Sequence, residues 1–203
     1  SSHCEPLLFN TASEWKRDKM GEWDYINNRA GVDSVLRARA NECAPFENVY
    51  TLALRGLHDR AMNASNDMAD RKLMAQRKML IDATGKRGED IPQAFTPYKE
   101  VLDVYDEGLE LPDDVTIIWP DDNYGYMKRL SSPKEQKRSG RSGVYYHSSY
   151  LGKPHDHLWM NTTSPTLMYE ELRKAYDMTA DRIWLLNAGD IKSCEFAVDF
   201  FLS

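Results

Sequence analysis

Residues 115–119, Val-Thr-Ile-Ile-Trp, form an apolar and β-branched run with no polar alternation. A strand of that kind needs cover on both faces, as in a parallel sheet between layers of helix. The run stops at Pro120 and gives way to Asp121, Asp122, Asn123, Tyr124, Gly125 and Tyr126. In α/β proteins ligands gather beyond the carboxyl ends of the strands, so two carboxylates placed there point to a site. The other reading of the same residues is a solvated turn whose Asp side chains cap the following segment.

Three more runs end in the same way. Residues 49–54 lead into Arg55-Gly56-Leu57-His58-Asp59, residues 143–147 into Ser148-Ser149-Tyr150, and residues 182–186 into Asn187-Ala188-Gly189-Asp190. Helical spacing is expected over residues 14–20, 25–40, 65–84, 98–107, 165–176 and 193–202, with Gly85 and Gly108 as stops and Pro97 and Pro165 as starts. Residues 85–92 read as a polar loop, 131–143 as the most flexible and basic segment, and 154–163 as a long loop. The alternation predicts right-handed βαβ units and a parallel sheet. The four polar strand ends would converge at the top of a (β/α) barrel of the TIM type. Four strands are half of such a barrel, so residues 1–203 are expected to be part of one barrel domain, with the rest elsewhere in a longer protein. The opening Ser1-Ser2-His3-Cys4-Glu5-Pro6 likewise reads as the middle of a protein.

A chain of 203 residues with 41% hydrophobic content can bury a core, and its net charge of -6 without a long basic run argues against nucleic acid. No apolar run reaches the roughly 20 residues of a membrane span, so no membrane partner is expected. Cys4, Cys43 and Cys194 are too few and too scattered for a disulfide framework and read as thiols. No Gly-rich phosphate turn and no GxSxG elbow follows a strand. His155 and His157 make a pair without a third ligand, so neither metal nor cofactor is expected. What remains is carboxylates, tyrosines, a histidine and tryptophans, a set suited to sugar chemistry, where acids move protons and aromatic faces hold the ring.

The blocks HCEP (3–6), LRGLHD (54–59), FTPYKEVLDVY (95–105), LPDDVTIIWPDDNYGYMKRL (111–130), SGVYYHSSYLGKPHDHLWMNTTSP (142–165) and NAGDIKSCE (187–195) resemble the xylan α-1,2-glucuronidases of glycoside hydrolase family 115. The resemblance covers essentially the whole chain. It implies the middle-to-late part of a (β/α) barrel within a much longer, secreted or periplasmic protein, a homodimer in the full-length form, and glucuronoxylan or its oligosaccharides as substrate. The implied reaction is removal of glucuronic acid or its 4-O-methyl form with inversion. It also implies a further active-site acid upstream of residue 1. Arg60 and the Cys194-Glu195 pair depart from the family's commoner residues, which bears on substrate preference.

Carried onto this chain, the resemblance makes Asp122 the preferred general acid, with Asp121 beside it, and Asp59 the next carboxylate, as base or water-orienting group. Inversion requires the two carboxyls about 6.5–9.5 Å apart. Arg55 suits a clamp on the uronate carboxylate; the alternative is a structural ion pair with Asp59 or Glu47. His147 and Tyr150 would bond the sugar, with Tyr98, Tyr124, Asn187 and Trp159 as further substrate contacts. Glu5 is a fourth candidate acid that could equally cap the next helix. The competing readings are a carbohydrate-binding barrel segment without turnover and a fragment inactive by itself.

Overall fold

A computed structural model describes residues 5–57, 60–62, 66–152, 155–156 and 160–203. These fall into two compact units that divide after Val115.

The first unit runs through a 3-10 turn (Pro6–Leu8), α1 (Arg17–Met20), α2 (Arg29–Cys43), β1 (Tyr50–Leu52), α3 (Asn66–Thr84), a second 3-10 turn (Gly88–Asp90), β2 (Gln93–Phe95) and α4 (Glu100–Asp106). β1 and β2 are parallel, with Tyr50 opposite Gln93 and Leu52 opposite Phe95. The apolar run 49–54 gives only three ladder residues because side chains of α3 take over its end. Gln76 accepts the Ala53 N–H at 2.9 Å and donates to the Ala53 carbonyl at 2.8 Å, and Lys72 Nζ donates to the Leu54 carbonyl at 3.0 Å. α2 buries Val32, Leu36 and Ala40 at helical spacing, and α3 buries Ala69, Leu73, Met79 and Leu80. These join Leu52, Leu54, Phe95, Val101 and Val115 in one core. Gly85 ends α3 at φ +66, its N–H on the Ile81 carbonyl at 2.9 Å, a left-handed cap.

The second unit contains β3 (Thr116–Pro120), a 3-10 turn (Glu135–Lys137), β4 (Ser142–His147), the short antiparallel pair β5 (Leu151–Gly152) and β6 (His155–Asp156), α5 (Pro165–Asp177), β7 (Ala180–Asn187), a 3-10 turn (Ile191–Ser193) and α6 (Glu195–Leu202). β3 pairs parallel with β4, Pro120 opposite Tyr145, and β4 pairs parallel with β7, His147 opposite Asn187. All five residues of β3 are buried, as its lack of alternation requires. At Gly143 an added Cβ would lie 1.9 Å from the Ile183 carbonyl oxygen, so the bulged β4–β7 register is open only to glycine there. Ser164 caps α5 by accepting the Leu167 N–H, with Pro165 in the first turn, and Met168, Leu172 and Ala175 face inward.

The segment 131–143, expected to be loose, is tied down. Arg129 grips both oxygens of Glu135 at 2.9 and 2.7 Å, Arg141 pairs with Asp181, and buried Ser131 accepts the Trp119 Nε1–H at 2.9 Å. Two of its charges, Glu135 and Arg141, are paired with residues outside the segment, which composition alone does not reveal. Strand, crossover and parallel strand recur in both units, and the architecture is α/β, that of part of a (β/α) barrel. Among the described residues no helix is long and apolar enough to cross a membrane.

Candidate active site

In the first unit the site begins one residue beyond the part of β1 that α3 holds. Arg55 is 5% exposed, and its Nη1 lies 2.5 Å from Glu100 Oε2. The other oxygen of Glu100 accepts the Met62 N–H at 2.7 Å, so the carboxylate is fixed at both ends. The guanidinium sits 5.7 Å from the centroid of buried Tyr98. Arg55 thus meets Glu100 and not Glu47, one of the two partners considered from sequence. Glu100 itself was missed, because an acid in the first turn of a helix has an ordinary explanation in the helix dipole. The available signal was its place just beyond a strand end, and β2 is too short to be recognised. Asp59 and Trp159 lie outside the described residues. Glu5 accepts the Thr11 N–H at 2.5 Å and shapes the first turn, with no side-chain bond capping the helix that follows it.

In the second unit the two adjacent acids diverge, as neighbours on a strand end do. Asp121 points inward with its side chain fully buried; Oδ1 is 2.5 Å from His147 Nδ1 and accepts the Asn123 N–H at 3.1 Å, and Oδ2 accepts the His147 N–H at 3.1 Å and the Gly125 N–H at 3.2 Å. Asp122 points to the rim. Its Oδ1 accepts the Tyr124 and Tyr126 N–H groups at 3.0 and 3.1 Å, and Oδ2 lies 3.5 Å from Lys128 Nζ. Each of these side-chain contacts uses Asp122 as an acceptor, while its backbone N–H donates to the Tyr126 carbonyl at 3.0 Å. Tyr124 is exposed on this loop.

The His147 ring meets Tyr145 and Tyr150 edge-on, at centroid distances of 4.6 and 5.3 Å. With Asp121 accepting from Nδ1–H, a neutral ring carries its lone pair on Nε2. No hydrogen bond to Nε2 is present among the described residues. Asn187 donates to the Tyr145 hydroxyl at 2.7 Å and so braces the ring that packs against His147. Tyr146 donates to the Gly125 carbonyl at 2.9 Å; burial first, then the negative charge of Asp121, pushes its hydroxyl well above the usual tyrosine range. The structure therefore brings together Asp121, His147, Tyr150 and Asn187 in one unit, and Arg55 and Tyr98 with Glu100 in the other. Among the described residues no three His, Cys, Asp or Glu side chains form a metal cluster.

Gly125 closes the acidic loop at φ +90, and a Cβ there would meet Thr163 Cγ2 at 2.8 Å and the Tyr146 hydroxyl at 2.9 Å. Gly125→Ala is expected to destabilise the protein by about 2–4 kcal/mol, from strain plus loss of the Tyr146 bond. Urea denaturation checks this, and a change within about 0.5 kcal/mol would show that the loop relaxes freely.

Residues 1–203 match the family model for Glycosyl hydrolase family 115. Among solved structures the chain superposes, with a TM-score of 0.95 and 44% identity, on a protein described as a novel family GH115 4-O-methyl-α-glucuronidase with specificity for decorated arabinogalactans. The match covers 100% of this chain and 27% of that one. No curated protein matches the chain.

Proposed function

The chain belongs to glycosyl hydrolase family 115, and on that premise we propose that it supplies part of the active face of an α-glucuronidase. The reaction is removal of α-1,2-linked glucuronic acid, or its 4-O-methyl form, from decorated xylan with inversion at the anomeric carbon. Decorated arabinogalactan is the second substrate reading, favoured by the solved relative described above. The observation that carries the proposal is the buried Arg55 at a strand end, preset by Glu100 beside an aromatic ring. A guanidinium held in that way recognises a carboxylate in plane and separates uronic acids from neutral sugars.

Inversion needs one carboxylic acid to protonate the departing xylose oxygen and one carboxylate to take a proton from the attacking water. Asp121, Asp122 and Glu5 each serve contacts that build the fold. In this reading the proton donor is Asp59, four positions along the chain from Arg55, Glu100 sets the Arg55 clamp, and the attacking water falls to Glu100 or to the acid that the resemblance implies upstream of residue 1. His147, positioned through Nδ1, offers Nε2 to a sugar hydroxyl, with Tyr150 beside it. A polymeric substrate places the parent protein outside the cytoplasm.

The test is release of uronic acid from both polysaccharides by the intact protein, followed by proton NMR. The β-anomer should appear first. No uronate from either polymer overturns the activity, and the α-anomer first overturns inversion. Asp59→Asn should lower turnover by about 10²–10⁴, the usual value of general acid catalysis, and Asp122→Asn by less than about tenfold. The reverse order would return the role to Asp122. Arg55→Ala should weaken glucuronate binding by about 30- to 1000-fold and glucose binding little, by calorimetry. Equal losses would make Arg55 a support of the fold.

A further inference from the structure

A cleft of ≈ 450 Å³ opens at the end of β1 within the first unit, lined among others by Trp23, Tyr25, Leu54, Arg55 and Lys72. That is the size of a site for a small ligand. Lys72 is 6% exposed, and its ammonium makes a single hydrogen bond, to the Leu54 carbonyl. Two of its three N–H donors have no acceptor among the described residues. Buried charges are normally paired, because desolvation otherwise outweighs what one neutral carbonyl returns.

Among the described residues, the acids around the cleft do not supply the missing partner. Glu22 pairs with Arg17, and Asp24 accepts the Ile26 and Asn27 N–H groups and the Asn27 side-chain amide, bonds that hold its carboxyl below its usual range. Of the other charged groups lining it, Arg55 is held by Glu100 and Arg60 is exposed. Tyr25 adds a buried hydroxyl with no hydrogen bond of ordinary geometry, its pKa raised by burial and by Asp33. Among the described residues the cleft therefore offers donors without a resident anion, beside aromatic walls.

We propose that Lys72 is a second ligand-facing cation of this cleft beside Arg55, that it binds the carboxylate of an acidic sugar, and that binding there is accompanied by proton uptake. The identity of the sugar as a uronic acid rests on the reading under Proposed function. The role of Lys72 rests on the geometry of the cleft. Burial pushes the Lys72 ammonium down from 10.5 to about 8. A carboxylate alongside favours the charged form, so near pH 8 the complex holds more protons than the free protein.

The experiment is calorimetric titration of the intact protein with sodium glucuronate and with glucose, at about pH 8.5, in two buffers of different ionisation enthalpy. The wild type should take up a substantial fraction of a proton with glucuronate and none with glucose. Lys72→Met should bind glucuronate at least about tenfold more weakly, without proton uptake. Lys72→Arg, charged at every pH used, should keep most of the affinity and lose the uptake, which preserves the test if the methionine variant does not fold. Glucuronate binding by the wild type without proton uptake, or unchanged binding by Lys72→Met, overturns the proposal and leaves the glucuronidase reading intact. Absence of glucuronate binding by the wild type overturns both.

Discussion

Glu100→Gln is expected to lower uronate release by about 30-fold or more, the equivalent of about 2 kcal/mol for breaking a partly buried charge-assisted pair. Glutamine keeps the shape of the side chain but replaces one carboxylate oxygen by a donor. One oxygen faces the Arg55 guanidinium at 2.5 Å and the other the Met62 N–H at 2.7 Å, so either orientation of the amide sets donor against donor. Glu100 is 32% exposed while Arg55 is 5% exposed, and partial hydration puts the effect at the lower end of what a buried pair would give. The kinetic parameters separate two roles. A loss confined to KM means that Glu100 sets the Arg55 clamp, and a loss in kcat means that it also acts on the attacking water. Turnover within twofold of wild type, with an intact fold, would remove Glu100 from the site.

The strands that could be recognised from sequence were those written as apolar runs, β1, β3, β4 and the only partly buried β7. β3 is covered on both faces and reads as an unbroken apolar run, and the parallel registers of β3, β4 and β7 align Pro120, His147 and Asn187 toward one end. β2 was not legible, because Gln-Ala-Phe is three residues long and carries a polar side chain that is itself buried: Gln93 donates to the Gly88 and Ile91 carbonyls at 2.8 and 3.0 Å. α3 was legible as a helix, but its polar core positions were not. Lys72 and Gln76 read as surface charge and polarity until the strand end they serve is seen. The adjacent Asp121 and Asp122 show the limit most clearly. A strand end sends neighbours to opposite sides, so one had to face inward, and nothing in the residue types says which.

Asp121→Ala should cost the protein about 3–5 kcal/mol, enough to threaten a fold whose total stability is about 5–15 kcal/mol. The carboxylate is the acceptor for three backbone N–H groups, of Asn123, Gly125 and His147, and for the His147 ring at 2.5 Å. Side-chain exposures of 0% for Asp121 and 2% for His147 leave no water to replace those bonds. Asn123, a non-glycine residue at φ +69, holds left-handed backbone while the loop is pinned, so its strain is released on the same change. Asp121→Asn keeps one acceptor and should cost less, about 1–3 kcal/mol, because its amide must face at least one of these donors. His147→Ala removes the ring partner alone. Urea denaturation of the two single variants and the double variant isolates the Asp121–His147 coupling, which should exceed about 1 kcal/mol. A coupling below about 0.3 kcal/mol would mean that Asp121 stabilises the loop backbone and that His147 is positioned by its tyrosine neighbours.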